Sequence, residues 1–397
     1  MKILYLDADS LGSPYGGGQA RRTFEIARRV ALHHEVTVLT AGHKTLRSET
    51  VEGVRYVRTT GLPVPANILW YFVEVVPRGL VDDADIIVES FSVPLTASLL
   101  QRLERRPVVG VANFLFADMM DRKYKLPFTR WERFVLARYR HIVVFSESQR
   151  GKLRERASQA EVTVIPNGVD ERARLFRWTG KGGYVAFLGR LDVDQKGIDL
   201  LLEAVPHLPT GVVCRIAGDG RAKGWLKNEI RKRGLSARVE LVGHISGDER
   251  HQFLANAALL AFPSRYEGQS LVLLDALAIG VPAVCFGIAA NTEVVRGCAE
   301  VVPPFDVMRF AQSVARISIN REEQRRLSTA ALEASRRYDW SESARAEMQL
   351  YERLVQNFRP RSRAKHVPRA SRKTCEGLRT PRGDRVNLDA TRPGDAP

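Results

Sequence analysis

Two stretches in the second half of the chain bring together residue types that can hold an anion and a polyol. In the first, Phe187-Leu188-Gly189-Arg190-Leu191-Asp192-Val193-Asp194-Gln195-Lys196-Gly197, an apolar run ends in Gly-Arg and a Lys-Gly pair opens the next segment. A guanidinium and an ammonium at the carboxyl end of a buried parallel strand stand where open α/β sheets take their ligands, and together they suit a diphosphate. In the second stretch, residues 262–282, Glu267 and Gly268 occupy the loop after an apolar run, and Ser270 can cap a helix that carries Asp275. Carboxylates at this spacing can address two parts of one hydroxyl-rich ligand. Each taken alone is also an ordinary capping or solvated group.

A third stretch, Tyr15-Gly16-Gly17-Gly18-Gln19-Ala20, follows an apolar run and precedes residues 21–30, where Phe24, Ala27 and Val30 share one helix face. Glycines there let backbone N–H groups approach a phosphate at a helix N-terminus, where the dipole favours anions. The spacing is not G-x-G-x-x-G, and a glycine triplet by itself also reads as a flexible loop.

The elements that must position these residues repeat one unit. Short β-branched, apolar runs at residues 3–6, 35–40, 54–58, 86–88, 108–111, 142–145 and 162–165 are followed in several cases by segments of helical spacing. Continuous apolar runs of that length suit strands buried on both faces, which predicts a doubly wound parallel sheet. The pattern restarts after Pro166-Asn167-Gly168-Val169-Asp170, with runs at 184–188, 212–217, 239–242, 259–262, 281–286 and 300–302. The Asn-Gly turn signal near mid-chain marks an interdomain hinge. A chain of 397 residues is long for one core and suits two domains. From Arg359 onward periodicity gives way to Arg, Pro, Gly, Ser and Thr, and that tail is expected to be disordered.

Composition excludes several classes. With 44% hydrophobic and 27% charged residues the chain has ordinary globular content. No run reaches the roughly 18 uninterrupted apolar residues of a spanning helix, since 64–76 is short and carries Glu74. The N-terminus meets Asp7 before a signal-peptide core could form, so a cytoplasmic location is expected. Cys214, Cys285, Cys298 and Cys375 form no C-x-x-C pair, and no histidine pair has metal-ligand spacing, so neither a metal site nor a cofactor is expected. The net charge is +16; the tail from Arg359 carries 11 Lys/Arg against 4 Asp/Glu, so the body retains +9. Such a balance invites phosphate, anionic lipid or nucleic acid.

Taken as a set, GGGQ in the first loop, IPNGVD at mid-chain, GRLDVDQKG, IAGDG and EGQSLVLLDALAIGVPAV resemble the family 4 retaining glycosyltransferases of GT-B fold, over residues 1–355. The resemblance implies two Rossmann-like domains facing a cleft: an acceptor domain over 1–168, a nucleotide-sugar donor domain over 169–337, and a helix at 338–358 that crosses back, with 359–397 as the basic tail. It implies a hexosyltransferase-type enzyme that takes a UDP-, GDP- or ADP-sugar without a metal. Arg190 and Lys196 match the pair that neutralises the departing diphosphate, and Glu267 matches the carboxylate facing the donor sugar. Donor contacts fall at Gly17, Gly18, Gly189, Gly218, His244, Gly268, Gln269, Ser270, Leu271 and Asp275. The sequence departs from the family pattern in three places. Asp275 stands where a second glutamate is usual, Gln269-Ser270 replaces an aromatic-glycine pair, and Asn113 is nearest to the place where a histidine is common.

For the acceptor side, residues 122–140 are rich in Arg and Lys, and helical spacing from Thr129 sets Trp131, Val135 and Tyr139 in one stripe with Phe134 and Arg138 beside it. This reads either as an amphipathic helix for an anionic membrane surface or as a core helix with a basic edge. Residues 67–72 form a second aromatic cluster, for an acceptor groove or for packing. A glycan or lipid-linked acceptor at the inner face of the cell membrane fits the first reading. A donor-binding pseudoenzyme, a sugar-nucleotide epimerase and a glycogen-synthase-like polymerase stay open beside it. A nucleic-acid binder finds no base-stacking or helix-turn-helix pattern to support it.

Overall fold

The computed structural model describes residues 1–7, 17–40, 47–58, 81, 83–93, 106–115, 117–157 and 159–358. The cluster at 67–72, Gly16 and the tail from 359 lie outside the described residues. In chain order the first half contains β1 (Lys2–Asp7), α1 (Gly18–Val30), β2 (Glu35–Thr40), β3 (Arg47–Val51), β4 (Val54–Arg58), β5 (Ile86–Val93), β6 (Val108–Leu115), α2 (Ala117–Tyr124), α3 (Phe128–Leu136), β7 (His141–Val144), α4 (Glu147–Arg156) and β8 (Glu161–Val164). The second half contains β9 (Val185–Leu188), α5 (Val193–Lys196), α6 (Ile198–Ala204), β10 (Cys214–Ala217), α7 (Lys223–Lys232), β11 (Val239–Gly243), α8 (Gly247–Asn256), β12 (Leu259–Phe262), α9 (Leu271–Ile279), β13 (Ala283–Phe286), α10 (Ala289–Val295), β14 (Glu300–Val302), α11 (Val307–Ile319), α12 (Arg321–Ser335) and α13 (Trp340–Asn357).

Among the described residues the strands form two sheets. The first has eight strands in the order β3-β4-β2-β1-β5-β6-β7-β8, and the second has six in the order β11-β10-β9-β12-β13-β14. Both are the expected parallel α/β sheets, with one exception: β3 pairs antiparallel with β4. Glu52 and Gly53 turn between them with φ of 47° and 79°, the left-handed pair of a tight hairpin turn. Apolar patterning does not reveal β3, because Ser48, Glu49 and Thr50 are exposed on an edge strand that needs no buried face.

Burial on both faces explains the continuous apolar runs. In β1, Ile3 and Tyr5 enter one core cluster and Leu4 and Leu6 the opposite one; in β9, Val185 and Phe187 part from Ala186 and Leu188 in the same way. The last helix returns to the first sheet as expected. Trp340, Tyr351 and Leu354 of α13 join the cluster of Ile3, Tyr5 and Ile26, and Arg22 of α1 pairs with Glu347 inside it, both side chains being nearly buried. The Ser343 hydroxyl donates to the Pro166 carbonyl at 2.7 Å, so the same helix holds the segment between the sheets.

Residues 122–140 hold the end of α2 and all of α3, and the stripe expected from Thr129 divides. Helix α3 stops at Leu136, Val135 and Tyr139 are buried, and Trp131 and Phe134 face outward, stacked at 5.3 Å. Among the described residues no helix is long and apolar enough to cross a membrane.

Candidate active site

The carboxyl end of β9 leads directly into the first expected stretch. Asp192 caps α5 by accepting from the Gln195 amide at 2.8 Å, and Gly197 closes that single turn at φ 63°, a left-handed conformation that a Cβ would strain. The Arg265 guanidinium fastens the loop from outside, donating to both Asp199 carboxylate oxygens at 2.7 and 2.6 Å and to the Val193 carbonyl at 2.6 Å. These constraints aim Lys196 inward. Its Nζ lies 2.5 Å from Glu267 Oε1 and 5.7 Å from the centre of the Phe262 ring. Two residues 71 positions apart thus become an ion pair at the ends of neighbouring strands β9 and β12.

Arg190 is exposed, and it reaches the first half of the molecule. A Cβ built on Gly17 would come within 2.9 Å of Arg190 Nη2, so the guanidinium rests on the glycine that precedes α1. Gly18 opens α1 with Leu271 as its neighbour, 3.5 Å from where a side chain would begin. Gly189, Gly218 and Gly243 run side by side along the same sheet edge, with the Gly218 amide donating to the Gly243 carbonyl at 2.7 Å. His244 follows, exposed, near the Asp219 carboxylate, whose pKa is lowered chiefly by the hydrogen bond from Lys223.

The Glu267–Ser270 loop is pressed against the first sheet. A Cβ on Gly268 would lie 2.3 Å from the Asn113 carbonyl oxygen, a distance that only glycine accommodates. Gln149 donates to that same carbonyl at 3.0 Å. The Asn113 Nδ2 is buried and has no hydrogen-bond partner among the described residues, an orphan donor on the residue that Gly268 packs against. Ser270 caps α9 by accepting from the Leu273 amide at 3.3 Å. The Gln269 side chain turns toward the linker, where its Oε1 accepts from the Asn167 amide at 2.5 Å.

Asp275 lies deeper. Its carboxylate is nearly fully buried and accepts from Arg250 Nη2 at 2.5 Å. Burial pushes its pKa up and the Asp170 charge adds to that, while Arg250 opposes both. For Asp170 burial also acts upward, but the hydrogen bond from His251 and the Arg21 and Arg250 guanidinium groups outweigh it and hold the carboxyl well below its usual range. Asp170, His251 and Asp275 are the one group among the described residues with metal-ligand spacing, their nearest atoms lying within 4.8 Å of one another. Each carboxylate already accepts from a guanidinium, so two anions are balanced by two cations.

Sequence patterning passed over several residues that shape this region. Gln149, Arg250 and Arg21 belong to no motif, and Asn167 enters only as part of the mid-chain turn signal. Patterning also missed a contact between the two halves of the chain: Lys123 of α2 places Nζ 2.5 Å from Asp194 of α5, and each raises the charged fraction of the other.

Comparison with known proteins agrees with this architecture. Residues 16–173 match the family model Glycosyltransferase Family 4, and residues 182–320 match Glycosyl transferases group 1. The glycogen synthase of Mycobacterium tuberculosis is 32% identical over 206 residues, which is 48% of this chain and 48% of that protein. The chain spans about half the length of the curated relatives it matches. Among solved structures, the sucrose-phosphate synthase of Thermosynechococcus elongatus superposes with a TM-score of 0.78 at 18% identity, covering 89% of this chain and 99% of that one. Anabaena HepE in complex with UDP-glucose superposes with a TM-score of 0.70 at 19% identity, covering 89% and 100%. With two parallel sheets, a returning helix that packs on α1 and both domain models matched in sequence order, this chain belongs to the group 1 and family 4 glycosyltransferases of GT-B fold.

Proposed function

We propose that this protein moves a sugar from a nucleoside-diphosphate sugar to an acceptor hydroxyl with retention of anomeric configuration, without help from a metal. The observation that carries the reading is the Lys196–Glu267 ion pair beside the ends of adjoining strands, with Arg190, at the end of β9, resting on the glycine that precedes α1. Arg190 and Lys196 receive the two phosphates of the donor. They offset the charge that grows on the leaving diphosphate as its bond to the sugar C1 breaks. Glu267 holds Lys196 in place and faces the sugar. The new bond from the acceptor oxygen to C1 forms on the face the phosphate leaves, and the acceptor proton passes to the departing phosphate oxygen. Asn113, whose Nδ2 has no partner among the described residues, is suited to donate to a sugar or acceptor hydroxyl and cannot serve as a base. Gly18, Gly189, Gly218, His244, Gly268, Gln269, Ser270, Leu271 and Asp275 complete or support the donor side.

On this reading residues 1–168 bind acceptor, 169–337 bind donor, and 338–358 tie the two. The UDP-glucose held by the Anabaena neighbour makes UDP-sugars the first donors to try. The acceptor is assigned as a lipid-linked or envelope glycan met at the cytoplasmic face of the membrane. Support comes from exposed Tyr124, Leu126, Trp131 and Phe134 on and between α2 and α3, set among exposed Arg122, Lys123, Lys125, Arg130 and Arg133.

The deciding experiment incubates the full-length protein with UDP-, GDP- and ADP-sugars in EDTA and follows release of the nucleoside diphosphate. Release from one of them supports a metal-free transferase; a lack of turnover with all of them, with or without magnesium, defeats the reading. Sedimentation with phosphatidylglycerol vesicles, and not with phosphatidylcholine vesicles, tests the membrane face.

A further inference from the structure

The turn that opens α1 and the helix that follows the Glu267 loop are joined by a line of charges, of which the transfer reading uses only Asp275. In the first turn of α1, Arg21 places Nη2 2.9 Å from Asp170 Oδ2, in the segment between the sheets. Glu25, one turn on, holds the same guanidinium at 2.6 Å and so sets its direction. The Asp170 oxygen that Arg21 reaches lies 3.3 Å from Arg250 Nη2 and 3.5 Å from His251 Nε2 of α8. Arg250 Nη2 donates in turn to Asp275 of α9 at 2.5 Å. One linker carboxylate therefore accepts a guanidinium from each half of the molecule.

A second line runs beside the first. Arg22 Nη1 donates to Asn167 Oδ1 at 2.9 Å, and the Asn167 amide donates to Gln269 Oε1 at 2.5 Å. Adjacent arginines of α1 thus reach the linker, and the linker reaches both the loop before α9 and the body of α9. Helix α1 begins at Gly18, next to the glycine on which Arg190 rests, so whatever tilts α1 alters the space in front of Arg190 and the position of the Glu267 loop together.

We propose that Arg21 is a positioning residue: through Asp170 and Arg250 it couples the placement of α1 to that of α9 and the Glu267–Ser270 loop. The consequence for turnover rests on the transfer reading above; the coupling itself does not. Asp170 is nearly buried, with a side chain 9% exposed, so a guanidinium withdrawn from it is not replaced by bulk water at full strength. Coupling of this kind is direct, since each member of the line touches the next.

The test is hydrogen–deuterium exchange on the full-length protein, comparing wild type, Arg21→Ala and Arg21→Lys at the amides of residues 273–276, with those of β12 as internal reference. Arg21→Ala should accelerate exchange in α9 about tenfold while β12 is unchanged, and Arg21→Lys should recover most of the protection. Unchanged exchange in α9 overturns the proposal. Equal acceleration in α9 and β12 also overturns it, because that is general loosening. With a donor that turns over, Arg21→Ala should lower kcat about tenfold and leave the donor KM within about threefold; a change in KM alone overturns the positioning role. If the wild type turns over no nucleotide sugar, the transfer reading fails while the exchange comparison still decides the coupling.

Discussion

Arg190 and Arg250 belong to the same half of the molecule and differ in what surrounds them. Arg190 is exposed at the end of β9, makes no ion pair among the described residues and rests on Gly17. Arg250 has a side chain 25% exposed and meets two buried carboxylates, Asp170 and Asp275. A cation without an anionic partner at a strand end is available to a ligand, whereas one that neutralises two buried anions is committed to the fold. Residue type and distance from a motif do not separate the two. The company each keeps does.

The largest expected effect breaks the first half of this comparison. Arg190→Ala should reduce turnover about 10²-fold to 10³-fold, as removal of a preorganised transition-state partner does, and leave the melting temperature nearly unchanged. Turnover near that of wild type would mean that Arg190 is a bystander. Next in size, Arg250→Ala should behave the other way round, lowering stability by about 3 kcal/mol because two nearly buried carboxylates lose their shared cation. Chemical denaturation with an unchanged m-value would measure it, and a loss below about 1 kcal/mol would place Arg250 with Arg190 instead.

The smallest effect sharpens the comparison through pH. The folded-state pKa of Asp170 is depressed, so its contribution is present above the unfolded carboxylate value near 4 and is lost as pH falls through the folded one. Asp275 runs oppositely: its folded pKa is raised, so its contribution is complete below that unfolded value and is lost as pH rises through the folded one. Asp170→Asn should therefore flatten the acid side of the stability profile, reducing the loss between pH 7 and pH 3 by up to about 1 kcal/mol. Equal acid sensitivity in wild type and variant would show that Asp170 is not the group that senses acid here.

Much of the fold was legible from the runs of apolar residues, because a strand covered on both faces can carry little else. What patterning missed was β3, whose exposed side chains are polar for the same physical reason. In the candidate site, the places of Arg190, Lys196 and Glu267 just after strand ends were legible, because each follows a continuous apolar run within a few residues. The stripe expected from Thr129 lies in one helix only as far as Leu136, so Tyr139 falls beyond α3, and burial of Val135 and Tyr139 leaves Trp131 and Phe134 as its outward face.

By itself, then, the sequence determined which groups stand at the strand ends: local runs, caps and glycines depend on neighbours a few positions away. Tertiary structure decided which of those groups are paired. Lys196 meets Glu267 across 71 positions, Arg250 meets Asp275 across 25, and Asn167 meets Gln269 across 102, and each meeting depends on how the strands and helices pack. Glu267 and Asp275 are eight residues apart and similarly buried, yet one faces a lysine at the cleft and the other an arginine in the interior. The cause is that α9 carries Asp275 away from the strand ends and against α8, which no spacing along the chain records.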